Sequence, residues 1–197
     1  MIAVVDYGAG NLRSVENALS SMGASFRVVS NADDIYSAQK IMLPGVGHFA
    51  QIARELDARG LREAVVGHIA SGAMFLGVCL GMQVLFEKSD EAIGVPGFGV
   101  LAGTVAQFGA PQRVPHMGWN SISINGASRL LRNIEDGQHF YFANSFFCPV
   151  TASTTATTTH GVSFSAVIER DNIFGVQFHP EKSGRAGLRV LQNFVDL

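Results

Sequence analysis

Cys79 lies between two glycines, in the sequence Gly77-Val-Cys-Leu-Gly81, at the end of an apolar run. This layout matches the Gly-x-Ser-x-Gly elbow, where a nucleophile occupies a strained turn between a strand and a helix and small neighbours relieve the crowding. A helix beginning behind the sulfur would favour the thiolate, and the amide of Leu80 would face a developing oxyanion. An ordinary buried cysteine remains an equal alternative on this motif alone.

His179 is the histidine best placed to act as a base for such a thiol. It ends a predicted strand, Pro180 fixes the backbone after it, and Glu181 follows within reach of the imidazole. A carboxylate in that position holds the tautomer and stabilises the imidazolium, as the third member of a triad does. A histidine before a proline is more often a loop residue, but the cysteine elbow favours catalysis. The histidines show no paired metal-ligand spacing, so we expect no metal.

The segment from Pro44 to Gly47 follows another predicted strand. Its glycines let the backbone approach a ligand and change orientation. We expect it to supply a second oxyanion donor, the amide of Val46, although a plain strand-to-helix turn has the same composition. If this amide must rotate into place, the isolated chain should be nearly inactive.

Strands and helices alternate through the first half of the chain. The pattern predicts strands at 2–8, 26–30, 40–47 and 73–78, and helices at 11–23, 48–60 and onward to Ile69. Asp33, Asp34 and Ile35 fall in a short connecting segment. This alternation predicts a mostly parallel central sheet flanked by helices, in which reactive groups collect at the carboxyl ends of the strands.

From Gly97 to Gln177 the signals become short, β-rich and divided by turns. The runs 163–170 and 173–178 predict a hairpin, and the threonine-rich run 151–159 alternates as an edge strand would. A helix over about 185–195 closes the chain. We therefore expect an α/β fold with an antiparallel β extension in the second half, as a single domain over residues 1–197.

Composition excludes several classes of protein. The 197 residues are 47% hydrophobic and 15% charged, with a formal net charge of -2 and no basic block, so nucleic acid and anionic membrane are poor partners. No apolar run is long enough to cross a bilayer, and the N-terminus lacks signal-peptide features. The two cysteines, of which we interpret Cys148 as structural, favour a reducing compartment. We expect a cytoplasmic protein without a cofactor.

Six motifs along the whole chain together resemble a known family. The sequences GVCLGMQ, PGVGHF and GVQFHPEKS resemble the class I glutamine amidotransferases. With DYGAGNLRSVENAL, VPHMGWN and YFANSFF, they are most similar to the glutaminase subunits of imidazole glycerol phosphate synthase. The resemblance implies a flavodoxin-like fold and hydrolysis of L-glutamine through a glutamyl thioester.

The resemblance also assigns roles to individual residues. It implies a triad of Cys79, His179 and Glu181, with the oxyanion held by the amides of Val46 and Leu80. The implied substrate contacts are Gly47, Gln83, Ser145 and Phe146.

A cyclase partner is implied as well. In the family, a (β/α)8 cyclase receives the ammonia and makes imidazole glycerol phosphate and aminoimidazole carboxamide ribotide in histidine biosynthesis. Met117 and Trp119 suit such an interface, because large adaptable side chains are enriched there. Core packing of the only tryptophan is the alternative. The implied interface residues are Asn11, Ser14, Met117, Trp119 and Lys182.

Two positions depart from the family pattern, and two other functions stay open. Asn144 and Phe146 stand where the family commonly has histidine and tyrosine, which affects side-chain contacts more than main-chain ones.

The first alternative function is an enzyme with the same cysteine chemistry, either the glutaminase subunit of another class I amidotransferase or a partner-independent γ-glutamyl hydrolase. The second is a non-enzymatic binding protein on the same fold.

Overall fold

The computed structural model describes residues 1–9 and 12–197. Its strands are β1 (Ile2–Val5), β2 (Phe26–Val29), β3 (Lys40–Gly45), β4 (Met74–Cys79), β5 (Phe86–Ser89), β6 (Leu101–Gln107), β7 (His116–Ser121), β8 (Ser123–Ile124), β9 (His139–Asn144), β10 (Phe146–Phe147), β11 (Thr154–His160), β12 (Val162–Arg170) and β13 (Ile173–Val176). Its helices are α1 (Leu12–Ser21), α2 (Ala32–Tyr36), α3 (Phe49–Ala58), α4 (Leu61–Ala70), α5 (Leu80–Gln83) and α6 (Gly184–Asp196), with a 3₁₀ turn at Pro180–Lys182.

Within the described residues, the main sheet has eight strands in the order β2-β1-β3-β4-β13-β12-β11-β8. The first five are parallel, and β12, β11 and β8 continue the sheet as the antiparallel extension. Two smaller assemblies, β10-β6-β5 and β7-β9, lie outside it. The predicted mostly parallel α/β sheet with an antiparallel extension is confirmed.

The core accounts for the sequence pattern of the strands and helices. β1 and β13 are buried along their whole length, which explains why they are apolar without alternation. Helix α3 buries Phe49, Ile52 and Leu56 on one face, as its spacing predicts. The part of the chain that the structure describes contains no helix long and apolar enough to cross a membrane.

Parallel pairing brings three chain segments to one edge of the sheet. Gly45, at the end of β3, is paired with Cys79, at the end of β4. On the other side of β4, Val176 at the end of β13 is paired with Val78. The residues that follow β13, including His179, therefore leave the sheet beside the cysteine, at the carboxyl edge where α/β folds bind ligands.

The helix behind the cysteine is shorter than the sequence indicates. Helix α5 is a single turn, because the carbonyls of Val84 and Leu85 accept hydrogen bonds from the amides of Phe98 and Leu101 instead of continuing the helix. One turn carries little of a helix dipole. The polar environment of the sulfur must therefore come mainly from neighbouring side chains.

Two smaller expectations were wrong. The segment at 33–35 is the helix α2, which forms because the Asn31 side chain accepts a hydrogen bond from the Asp34 amide and caps the first turn. The threonine-rich strand β11 is not at the edge of the sheet. The two-residue strand β8 pairs antiparallel with β11 at Ala156 and Thr157 and so covers its outer side.

Candidate active site

The backbone at Cys79 has the strained geometry of a nucleophile elbow. Its φ of 54° and ψ of -110° are rare for any residue with a side chain. The glycines around it are required by close packing, because a Cβ at Gly77 would collide with the carbonyl of Gly81, and a Cβ at Gly81 would collide with the carbonyl of Leu43. The strand, the turn and the two glycines thus hold the sulfur at the top of β4.

His179 and Glu181 form a buried pair beside this elbow. His179 Nδ1 lies 2.9 Å from Glu181 Oε1, and the two side chains are 4% and 5% exposed. The 3₁₀ turn that starts at Pro180 folds the carboxylate back towards the ring. The Ser183 hydroxyl donates to the His179 carbonyl at 2.6 Å, and the His179 amide donates to the Tyr141 carbonyl at 2.9 Å. The ring is therefore fixed through its own backbone.

The charge on His179 depends on its two partners. Burial pulls the pKa of His179 down, but hydrogen bonds to Cys79 and Glu181, together with the negative charges of both, outweigh burial and raise its pKa to about 10. At neutral pH the imidazole therefore holds a proton, and it is paired with the sulfur of Cys79. Such a pair provides both a nucleophile and a proton donor.

A chain of buried amides reaches the sulfur from the other side. Gln83 Nε2 donates to the Phe146 carbonyl at 2.9 Å and to Gln177 Oε1 at 3.1 Å, and Gln177 Nε2 lies 3.6 Å from Cys79 Sγ. Because a carbonyl oxygen only accepts, the bond to Phe146 requires the NH₂ group of Gln83 to face that carbonyl. The same NH₂ group donates to the Oε1 of Gln177, so the NH₂ group of Gln177 faces the sulfur. Gln177 is fully buried and was not predicted.

These bonds restrict how the predicted substrate residues can act. The Phe146 carbonyl accepts from Gln83 and also from Asn144 Nδ2, at 2.9 Å each, so both of its lone pairs are used. The Ser145 carbonyl accepts from the Phe108 amide at 3.2 Å. Any main-chain contact from Phe146 to a substrate is thus made by its N–H. The amide nitrogen of Gln83 donates to other residues of the chain, so Gln83 can contact a substrate through its acceptor Oε1.

Val46 lies beside the cysteine, but its amide already has a partner. The Val46 N–H donates to the Tyr7 hydroxyl at 3.2 Å, and the same hydroxyl donates to the Val46 carbonyl at 3.3 Å. Leu80 is the first residue of α5 and follows the sulfur directly. The oxyanion role of both amides stays a prediction, and for Val46 it requires that the bond to Tyr7 open.

A cavity of about 160 Å³ opens onto the sulfur. Its lining includes Cys79, His179, Leu80, Val46, Gly47, Gln83, Ser145, Phe146, Asn144, Met117 and Glu91. Glu91, which the sequence did not single out, accepts a hydrogen bond from the Phe49 amide at 2.7 Å through one carboxylate oxygen. A carboxylate that lines the cavity can bind a cationic group there. Among the described residues, no cluster of histidine, cysteine or acidic side chains is arranged to hold a metal ion.

Of the predicted interface residues that the structure describes, Met117 lines this cavity and Trp119 lines the neighbouring pocket. Met117 and Trp119 are 65% and 58% exposed on β7, so the alternative that Trp119 packs in the core is wrong. Lys182 is exposed at the end of the 3₁₀ turn that carries Glu181. Ser14 lies in α1 and lines a surface groove with Glu181. Asn11 lies outside the described residues. A contact with a partner stays a prediction for all of them.

His116 and His160, which are far apart in the sequence, lie together in a pocket that Trp119 also lines. His116 stacks on His160 with ring centroids 4.4 Å apart, and on Phe142 at 5.1 Å. Burial lowers the pKa of His116 to about 4, helped by the charge of His160 and opposed by a hydrogen bond to Asn144. His116 is therefore neutral at physiological pH.

Cys148 is fully buried, as a structural cysteine should be, and burial raises its pKa.

The family model described as class-I glutamine amidotransferase matches residues 3–197. The chain belongs to this family. Among curated proteins, this amidotransferase is similar to the imidazole glycerol phosphate synthase subunit HisH of Methanothermobacter thermautotrophicus, at 46% identity over 100% of the chain and 98% of the relative. The HisH subunits of Deinococcus radiodurans (44% identity, covering 98% and 92%) and Methanocaldococcus jannaschii (40% identity, covering 100% and 100%) are similar over their length as well.

Solved structures agree on the fold of the amidotransferase chain. A crystal structure described as a glutamine amidotransferase superposes with a TM-score of 0.78 at 18% identity, covering 100% of this chain and 98% of the other. A chain of PurLQS from Thermotoga maritima gives a TM-score of 0.77 at 21% identity, covering 99% and 97%. At these identities the likeness concerns the fold alone.

Proposed function

We propose that this chain is the glutaminase subunit of an imidazole glycerol phosphate synthase and releases ammonia from L-glutamine for a cyclase subunit. The observation that carries the proposal is the buried pair of His179 and Glu181 set against Cys79 on a strained elbow, at the floor of a cavity. Full-length similarity to HisH subunits supports the choice of synthase among the class I amidotransferases.

The proposed reaction begins with Cys79 as a thiolate. Its sulfur attacks the side-chain amide carbon of glutamine, and the amides of Leu80 and Val46 stabilise the oxyanion that forms. The imidazolium of His179 gives its proton to the amide nitrogen, the C–N bond breaks, and ammonia leaves a γ-glutamyl thioester. Neutral His179 then takes a proton from water as the water attacks the thioester. Glutamate leaves, and the thiolate and imidazolium are restored.

Glutamine would be held in the cavity by a small set of polar groups. The Glu91 carboxylate is the acid that lines the cavity, and we assign it to the α-ammonium group. Gln83 Oε1 accepts a second hydrogen bond from the substrate. Main-chain groups of Gly47, Ser145 and Phe146 hold the remaining amino-acid polar atoms. With its amino-acid end held in this way, glutamine would direct its side-chain amide at the sulfur of Cys79.

The proposed partner is a (β/α)8 cyclase docked over the cavity mouth. Ammonia released into water at neutral pH would be protonated and lost as a nucleophile, so the product needs an enclosed route to the second reaction. The cyclase would use the ammonia to form imidazole glycerol phosphate and aminoimidazole carboxamide ribotide in histidine biosynthesis. Both cysteines are free thiols, which fits a reducing compartment, and we place the reaction in the cytoplasm.

A mixing assay tests this function. The chain is incubated with glutamine alone, with the cyclase subunit, and with the cyclase and its nucleotide substrate, while glutamate release is measured. We expect low activity alone and a large rise with the cyclase, abolished in Cys79→Ala. Equal activity with and without the cyclase would favour a partner-independent γ-glutamyl hydrolase. Intact function in Cys79→Ala would favour a non-enzymatic protein.

A further inference from the structure

We propose that the Tyr7 hydroxyl is a positioning group that holds the Val46 amide away from the oxyanion site in the partner-free chain. The inference rests on the proposed function and assigns a residue to the regulation of the same site. Val46 is the predicted second oxyanion donor, yet its N–H donates to Tyr7 Oη at 3.2 Å. An N–H bonded to this hydroxyl is not free to stabilise a negative charge beside Cys79.

The hydroxyl holds Val46 on both sides of its Cα. Besides accepting from the Val46 N–H, Tyr7 donates its own proton to the Val46 carbonyl at 3.3 Å. These two groups belong to successive peptide units, so neither unit can rotate without breaking a bond to Tyr7. Burial raises the pKa of Tyr7, which keeps the hydroxyl protonated and able to donate. One side chain therefore fixes the orientation of the loop at its centre.

Tyr7 is held in place by burial, whereas Val46 has a glycine on each side. Tyr7 is fully buried, two residues beyond the end of β1, and β1 lies beside β3, which ends at Gly45. Val46 is flanked by Gly45 and Gly47, and Gly47 has a φ of 98°, in the region that favours glycine. Glycine accepts either sign of φ, so rotation of a neighbouring peptide unit meets little steric resistance.

The effect on the reaction follows from the chemistry of the oxyanion. With the Val46 amide bonded to Tyr7, the tetrahedral intermediate has the Leu80 amide alone. Loss of one oxyanion donor in other hydrolases lowers kcat by about 10²–10³-fold. Opening the bond to Tyr7 restores the second donor. Docking of a partner on the adjacent exposed residues is the event that would pull the loop away, since Val46 itself is 36% exposed.

The test is Tyr7→Phe, which removes the hydroxyl and keeps the ring. Glutamate release is measured with and without the cyclase subunit, and Tyr36→Phe, whose tyrosine is 54% exposed on α2, serves as the matched control. We expect Tyr7→Phe to raise the partner-free kcat at least fivefold with KM within twofold of the wild type. Activity in the complex should change little, so that the stimulation by the cyclase shrinks. Tyr36→Phe should behave as the wild type.

Failure of this inference differs from failure of the proposed function. If the wild-type complex hydrolyses glutamine but Tyr7→Phe alone is no faster than the wild type alone, the Tyr7 role is wrong and the glutaminase stands. If the wild-type complex releases no glutamate, both are wrong. Hydrogen exchange in the wild-type chain gives a second test that does not depend on whether a variant folds. The Val46 amide should be protected in the free chain, and exchange at the rate of an unstructured amide overturns the inference.

Discussion

At the residue scale, the proximity of Cys79, His179 and Glu181 was predictable and the other groups around the sulfur were not. Cys79 and His179 carry recognisable local signatures, a glycine-flanked cysteine and a histidine followed by proline and glutamate. Gln177 carries none, because an amide is not a nucleophile or a base and its contact with the sulfur spans 98 positions of the chain. The usable signal was a polar residue within an apolar strand run, which predicts a buried hydrogen-bonded side chain but not its partner.

The position of Gln177 leads to a prediction about the nucleophile. Gln177→Leu removes the amide donor at the sulfur, and a hydrogen bond to a charged group contributes about 1.5–3 kcal/mol. If the thiolate depends on that donor, kcat of the complex should fall by about 10–100-fold, since about 1.4 kcal/mol corresponds to tenfold. Alkylation of Cys79 by iodoacetamide at neutral pH should slow as well.

The matched control for this variant is Gln138→Leu, at a half-buried position outside the cavity lining. It should leave kcat and the alkylation rate as in the wild type. Because Gln177→Leu also leaves Gln83 without one acceptor, its thermal unfolding is recorded to show that the chain is folded at the assay temperature. A kcat within twofold of the wild type in folded Gln177→Leu would show that the amide does not serve the sulfur.

At the element scale, the periodicity of the sequence predicted which segments form strands and helices in the first half. It could not predict where elements stop when long-range contacts decide. Helix α5 ends after one turn because the carbonyls of Val84 and Leu85 accept hydrogen bonds from the amides of Phe98 and of Leu101, the first residue of β6. The position of β11 depends on β8, a strand of two residues that is too short to show a pattern. Local propensity is overridden in both cases by tertiary hydrogen bonding.

His116, on β7, should make the stability of the folded chain depend on pH in the acid range. Its pKa is about 4 in the folded chain against an ordinary 6.5, so between these values the unfolded chain binds more protons. The stability from neutral His116 is therefore fully present above pH 6.5 and is lost as the pH falls towards 4. His116→Phe keeps a ring for stacking on Phe142 and His160 and removes this titration.

We expect the free energy of unfolding of His116→Phe to change less between pH 6.5 and 4 than that of the wild type. Chemical denaturation at several pH values measures this slope. His139→Phe, at an exposed position of β9, should retain the wild-type slope. Identical slopes for His116→Phe and the wild type would mean that His116 is protonated as easily in the folded chain as in the unfolded one.

At the scale of the whole molecule, the strand order decides whether the site exists. β13 pairs with β4, and this brings His179 to Cys79 although 100 positions separate them in the chain. The alternation of elements predicts a parallel sheet but does not give this order of strands. The same holds for Tyr7 and Val46, whose contact requires that β1 and β3 be neighbours.

Exposed side chains on β7 predict where a partner binds. Trp119 is 58% exposed, so Trp119→Ala should leave the unfolding midpoint nearly unchanged. If Trp119 is an anchor of the interface, its loss should weaken binding of the cyclase by about 30-fold, corresponding to about 2 kcal/mol. Titration calorimetry measures the affinity. Tyr36→Ala, an equally exposed aromatic on α2, is the control, and equal affinities of both variants would place the interface elsewhere.

The most direct test of the account is to identify the residue that reacts with the substrate. The complex with the cyclase is treated with a diazoketone analogue of glutamine, and the modified residue is mapped by mass spectrometry. We predict a single adduct on Cys79, suppressed by excess glutamine, while buried Cys148 in the same chain stays unmodified. An adduct on Cys148, or a Cys79→Ala chain that still releases glutamate at the wild-type rate, would contradict the account.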